Sequence, residues 1–201
     1  MRCFVALDLP TPVRNHLTNV IAPLRSRYDV KWVPADQLHL TLVFAGELPD
    51  DAVDDLAHVV AAVTLPPLSL HLQELGHFPP RGVPRVLWAG LGGDAEAVTH
   101  LHEELVMRAE SLGVEREKRG FTPHVTLGRI RTDFGALAMV DEMRKLGSTL
   151  NAKPFAPTGL VLYASELRPG GPLHRVIVER KLPPPLVPPT PETLPETPPP
   201  A

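Results

Sequence analysis

An α+β fold is predicted by three observations on this sequence. Short apolar runs rich in β-branched residues alternate with longer amphipathic stretches, and the string His-x-Thr-Leu occurs at residues 39–42 and again at 124–127. No G-x-G-x-x-G or Walker loop is present.

The elements follow in chain order. Residues 2–9 (RCFVALDL) read as a strand, and 11–28 as a helix with Thr11 as cap and Pro12 in its first turn, where a missing N–H costs nothing. Residues 30–33 and 37–46 read as strands. A helix over 49–63 opens on acidic residues, as the helix dipole favours. Strands are expected at 68–78 and 85–91, with GLGGD (90–94) as a turn, followed by a helix over 94–113 between Asp94 as cap and Gly113 as stop. A strand carrying HVTLGRI, a short helix around 135–146 and strands at 158–167 and 174–182 complete the folded unit, residues 1–182. Ten of the nineteen residues from 183 to 201 are proline, so this tail is expected to be extended and disordered.

Composition narrows the function. The chain has 201 residues, 43% of them apolar, enough for a real core, and its net charge of 20 − 23 = −3 gives no overall positive field for long nucleic acids. A nucleic-acid contact would be local. Asp8 and Pro10 interrupt the apolar opening, which makes a poor signal peptide, and no run reaches the roughly 20 apolar residues of a membrane span. The single cysteine, Cys3, excludes an internal disulfide framework and fits a reducing cytoplasm.

The repeated tetrad carries the chemistry. With nine His, thirteen Thr and thirty Leu in 201 residues, about 0.09 such strings are expected by chance. Residues i and i+2 of a strand share a face, so His39 projects with Thr41 and His124 with Thr126, while Leu40, Leu42, Val125 and Leu127 turn to the core. Two imidazoles that titrate near neutrality and two hydroxyl donors are what phosphodiester cleavage needs: one base, one acid, and donors for the non-bridging oxygens, without a metal. Arg129, five residues after His124, would add positive charge. Strict alternation turns it to the opposite face, so the strand must end or bulge before it.

The other histidines do not cluster as zinc ligands, and neither tetrad supplies a third ligand. His100 and Glu104 read as a solvated helix face; His16, His58, His71, His77 and His174 receive no role. Ser148 and Ser165 lack a nucleophile elbow, and Cys3 lacks an adjacent base. Trp32 and Phe44 read as core.

In order along 1–182, the blocks MRCFVALDLP, VKWVPADQLHLTLVFAGE, PRVLWAGL, RGFTPHVTLGRIR and LVLYASELRPGGPLHRVI resemble the 2H phosphoesterase superfamily. More narrowly they resemble the bacterial and archaeal RNA 2',3'-cyclic phosphodiesterases, historically called 2'-5' RNA ligases. The resemblance implies a two-lobed, pseudo-twofold fold with antiparallel sheets lining a central cleft and helices on the outside. It implies opening of a terminal 2',3'-cyclic phosphate to a 2'-phosphate; no cofactor is expected, the partners expected are RNA 3' ends or small nucleotides with that terminus, and the protein is expected to be a cytoplasmic monomer. His39 would protonate the departing 3' oxygen and His124 would activate water, or the reverse; Thr41, Thr126 and Arg129 would hold the phosphate. Phe121 is a candidate for stacking on a base, and Arg81 and Arg85 are either solvated or in contact with RNA backbone. Ligation to a 5' hydroxyl is the reverse reaction. A non-catalytic module for RNA ends and a structural protein recruiting partners through its tail are the competing readings.

Overall fold

The computed structural model describes residues 1–168 and 171–182, and the expectation for the proline-rich tail lies outside them. The strands are β1 (Arg2–Asp8), β2 (Val30–Trp32), β3 (His39–Glu47), β4 (Leu70–Phe78), β5 (Val86–Gly93), β6 (His124–Ile130), β7 (Gly159–Arg168) and β8 (Gly171–Lys181). The helices are α1 (Thr11–Val20), α2 (Ala22–Arg25), α3 (Asp50–Ala62), α4 (Ala95–Glu110) and α5 (Ala136–Gly147). The fold class is the α+β one expected.

Three local expectations are corrected. The helix predicted over 11–28 is two helices, because Pro23 has no N–H to continue the first, and its cap is Pro10 rather than Thr11. Asp94 does stand at the start of α4, but its carboxylate accepts from the Ser69 N–H (2.8 Å) instead of capping the helix. Residues 90–93 continue β5 opposite β4 instead of turning; the turn waits for Gly93, whose φ of 79° is open to glycine.

The sheet runs β4-β5-β6-β3-β1-β7-β8, with β2 also on β6. All of its pairings are antiparallel. The two halves mirror one another: β6 and β3 meet at the centre, β5 and β1 flank them, and β4 and β7 lie beyond. The central strands share only the pair Leu40↔Val125. Farther along, β2 replaces β3 as the neighbour of β6. So narrow a seam lets the halves diverge around a cleft.

Leu40, Val125 and Leu127 are fully buried and Leu42 nearly so, as strand alternation predicts. They share one core with Leu56 and Val60 of α3, Leu101 and Leu105 of α4 and Met139 and Met143 of α5. At about 1.5–3 kcal/mol for each fully buried aliphatic side chain, this apolar face anchors both tetrad strands. Their polar side chains are thereby committed to the other face.

Candidate active site

Each tetrad strand bulges at the same place. On β3, Val43 pairs with Val5 and Thr41 with Ala6, leaving Leu42 without a partner on β1. On β6, Gly128 pairs with Leu87 and Thr126 with Trp88, leaving Leu127 without a partner on β5. In both strands two consecutive residues are therefore buried, Leu42 with Val43 and Leu127 with Gly128. The alternation changes phase, and the fifth residue after each histidine returns to the polar face. That residue is Phe44 in one strand and Arg129 in the other.

The bulge answers the objection that alternation raises against Arg129. It lines a cavity of about 1090 Å³ together with Thr41, His124, Thr126, Phe44 and Phe121. Gly128 is needed at the crossing: a Cβ there would lie 2.6 Å from Val30 Cγ1 on β2. Phe44 is the opposite case, since the expectation that it is core is overturned by an exposure of 61%. Trp32 is half-buried and packs on the core as expected.

The two imidazoles are held alike. His39 Nδ1–H donates to the carbonyl of Gln37, two residues earlier, and His124 Nδ1–H donates to that of Thr122, both at 2.7 Å. In the neutral ring each bond leaves Nε2 bare and able to take a proton. Aromatic neighbours fix the ring planes: His39 stacks on Phe4 at 4.9 Å, and His124 meets Phe78 edge-on at 5.0 Å with Trp88 beyond at 6.3 Å. Trp88 can lie there because Gly76 beneath it has no Cβ.

Burial disfavours a charged ring. It pushes the His39 pKa down to about 4, helped by the nearby His174 and His124 and opposed by the Gln37 carbonyl. His124 is lowered also, by burial first and by Arg129, against the Thr122 carbonyl and Glu117. Both rings are neutral at pH 7 in the unliganded cleft. An anionic group close to either ring would favour its protonated form.

Among the described residues no three His, Cys, Asp or Glu side chains converge to hold a metal ion. No described helix is long and apolar enough to cross a membrane.

The family model for the 2'-5' RNA ligase superfamily matches residues 9–166. The chain belongs to that superfamily. Among its relatives are proteins named RNA 2',3'-cyclic phosphodiesterase from Thermotoga maritima, 30% identical over 89% of this chain and 94% of the other, and from Thermus thermophilus, 34% identical over 88% of each. The crystal structure of TT0787 of Thermus thermophilus superposes with a TM-score of 0.74 at 31% identity, covering 90% of this chain and 98% of that one. Escherichia coli LigT in its apo form gives 0.70 at 25% identity, covering 90% and 96%, and its complex with 3'-AMP gives 0.68 at 25%, with the same coverage.

Of the residues singled out in this 2'-5' RNA ligase superfamily chain, Thr41, His124, Thr126, Arg129 and Phe121 line one cavity. His39 is not among the lining residues, but it is close enough to feel a charge on His124. Arg85 is on the cavity wall, where Asp133 holds it at 2.6 Å, and Arg81 is exposed. Sequence reasoning missed two neighbours of the site. His174, given no role, has its ring 5.7 Å from His39 and edge-on to it, because the β7–β8 pairing returns it to the Phe4 cluster. His102 lies against Phe121. Neither sits in a recurring string, so nothing local to the sequence marks them.

Proposed function

We propose that this protein opens RNA terminal 2',3'-cyclic phosphates to 2'-phosphates, using His39 and His124 as the acid–base pair. The observation that carries the reading is the duplicated half-site: two imidazoles, each with Nδ1 held by its own backbone, with Thr41, His124, Thr126 and Arg129 lining one cavity and His39 near enough to feel a charge on His124. The names of the relatives agree with it.

One imidazole takes a proton from water through Nε2 as the water oxygen attacks phosphorus. The bond from phosphorus to the 3' oxygen breaks, and the other imidazole delivers its proton to that oxygen. A 3' hydroxyl and a 2'-phosphomonoester result, and the two rings have exchanged protonation states. Thr41 and Thr126 donate to the non-bridging oxygens, and Arg129 offsets their charge where it grows. The scheme calls for no metal. The same ring opening with a 5' hydroxyl attacking phosphorus in place of water, the P–O3' bond breaking as before, is ligation through a 2'-5' linkage, and it is secondary because water outcompetes it.

Phe44 and Phe121 supply apolar surface on the same cavity, which suits a nucleobase beside the phosphate. The substrates are then RNA 3' ends or small nucleotides carrying the cyclic phosphate. The test is the product from a short RNA with that terminus, in excess chelator, for the native chain, His39→Ala and His124→Ala. A 2'-phosphate formed by the native chain and lost in both variants supports the reading. Tight binding without turnover would point to a module for RNA ends, and turnover abolished by chelator to metal chemistry.

A further inference from the structure

His102 is on helix α4, outside both tetrads, yet its ring touches each half-site. Its Nδ1–H donates to the Leu42 carbonyl at 2.7 Å, and Leu42 is the residue that the β3 bulge leaves without a partner on β1. A buried carbonyl in that position needs another donor. The same ring lies flat on Phe121, with centroids 3.9 Å apart and planes 8° from parallel. Phe121 is followed by Thr122, whose carbonyl orients His124. The segment leading to Phe121 is tied to the same helix, because Arg116 bonds Glu103 at 2.9 Å and Glu110 at 3.2 Å.

From this geometry we infer that His102 is a positioning residue that keeps the two half-sites in register. Through Leu42 it fixes the bulge that separates Thr41 from Phe44. Through Phe121 it fixes the carbonyl on which His124 turns. A single ring thus links β3 to the lead-in of β6, two strands that pair directly only at Leu40↔Val125. An error of about 1 Å between acid, base and phosphate costs on the order of a hundredfold in rate, so a pin at this seam acts on turnover more than on binding. The inference rests on the acid–base reading above.

The experiment compares His102→Asn, whose amide can still donate to Leu42, with His102→Phe, which keeps the stack and loses the donor, and with His102→Ala, which loses both. Steady-state rates are measured on a 2',3'-cyclic mononucleotide, with thermal melts alongside. Nitrogen-15 histidine NMR on the full chain reads the Nδ1–H signals of His39 and His124. The Ala variant should lose at least tenfold in kcat with KM within about threefold, the Asn variant should recover most of that loss, and the Phe variant should fall between them. In the Ala variant the His124 Nδ1–H signal should broaden or vanish while the chain still melts cooperatively. Unchanged kcat and unchanged NMR signals in the Ala variant would overturn the inference. So would an Asn variant no better than Ala, or a loss confined to KM. If the native chain shows no turnover at all, the acid–base reading fails, and the NMR comparison still decides whether His102 orients His124.

Discussion

Phe44 and Arg129 occupy equivalent places in the two half-sites: each stands five residues after a tetrad histidine, past a bulge at Leu42 or Leu127, and each lines the same cavity. Identical backbone devices therefore present an aromatic face on one side and a guanidinium on the other. A nucleotide has two ends of matching character, a base that stacks and a phosphate that takes bidentate donors.

Replacing the two should give different kinetic losses. Phe44→Ala removes a stacking surface worth about 1–3 kcal/mol, so KM for a cyclic nucleotide should rise about 5- to 150-fold with little change in kcat. Arg129→Ala should lower kcat about a hundredfold or more, because charge on the phosphate oxygens grows toward the transition state. Steady-state kinetics on one substrate separates these outcomes, and equal effects on KM alone would refute the assignment of Arg129.

The pH profile follows from the two depressed histidines. The base must be neutral, so its limb of kcat/KM rises with pH through its pKa; the acid must be protonated, so its limb falls with pH through its own. With His39 at about 4 and His124 below the ordinary value of about 6.5, kcat/KM should peak between these limits, whichever ring is the acid. A rate profile from pH 3.5 to 9 checks this, and a maximum above pH 7 would contradict it.

Stability should fall on the acid side for the same reason. In the unfolded chain His39 takes a proton near pH 6.5, whereas in the fold it does so only near 4. Its contribution is therefore intact above 6.5 and is lost progressively as pH falls toward 4, by about 2 kcal/mol between pH 7 and 5. Urea unfolding at the two pH values, in the native chain and in His39→Gln, should show that share of the pH dependence disappearing in the variant.

Gly76 makes room for the tryptophan beside His124. A Cβ at this position would come within 2.2 Å of the Trp88 ring, which lies 6.3 Å from the His124 ring. Gly76→Ala should destabilise the chain by about 1–3 kcal/mol through overpacking, and the displaced indole should change both tryptophan fluorescence and kcat. Unaltered fluorescence with a native melting temperature would refute the overpacking, and altered fluorescence with native kcat would show that the indole does not bear on the site.

The sequence by itself determined which side chains of each tetrad share a face and most of the elements. Alternation on a strand commits His39 with Thr41 and His124 with Thr126 to one face and the intervening aliphatics to the core, and both outcomes are local enough to read directly. Helix α3 was legible from its acidic first turn, whereas the break at Ile21 depends on where Pro23 interrupts the ladder. Only the tertiary structure decided what depends on pairing between distant strands. The bulges at Leu42 and Leu127 exist relative to β1 and β5, so a strand taken alone puts Arg129 and Phe44 on the wrong faces. His102 and His174 reach the site through helix packing and a hairpin, across 60 residues to Leu42 in one case and through β8 in the other. Local periodicity specifies which way a side chain points; which groups it meets depends on the register between strands, and that is settled only when the core closes.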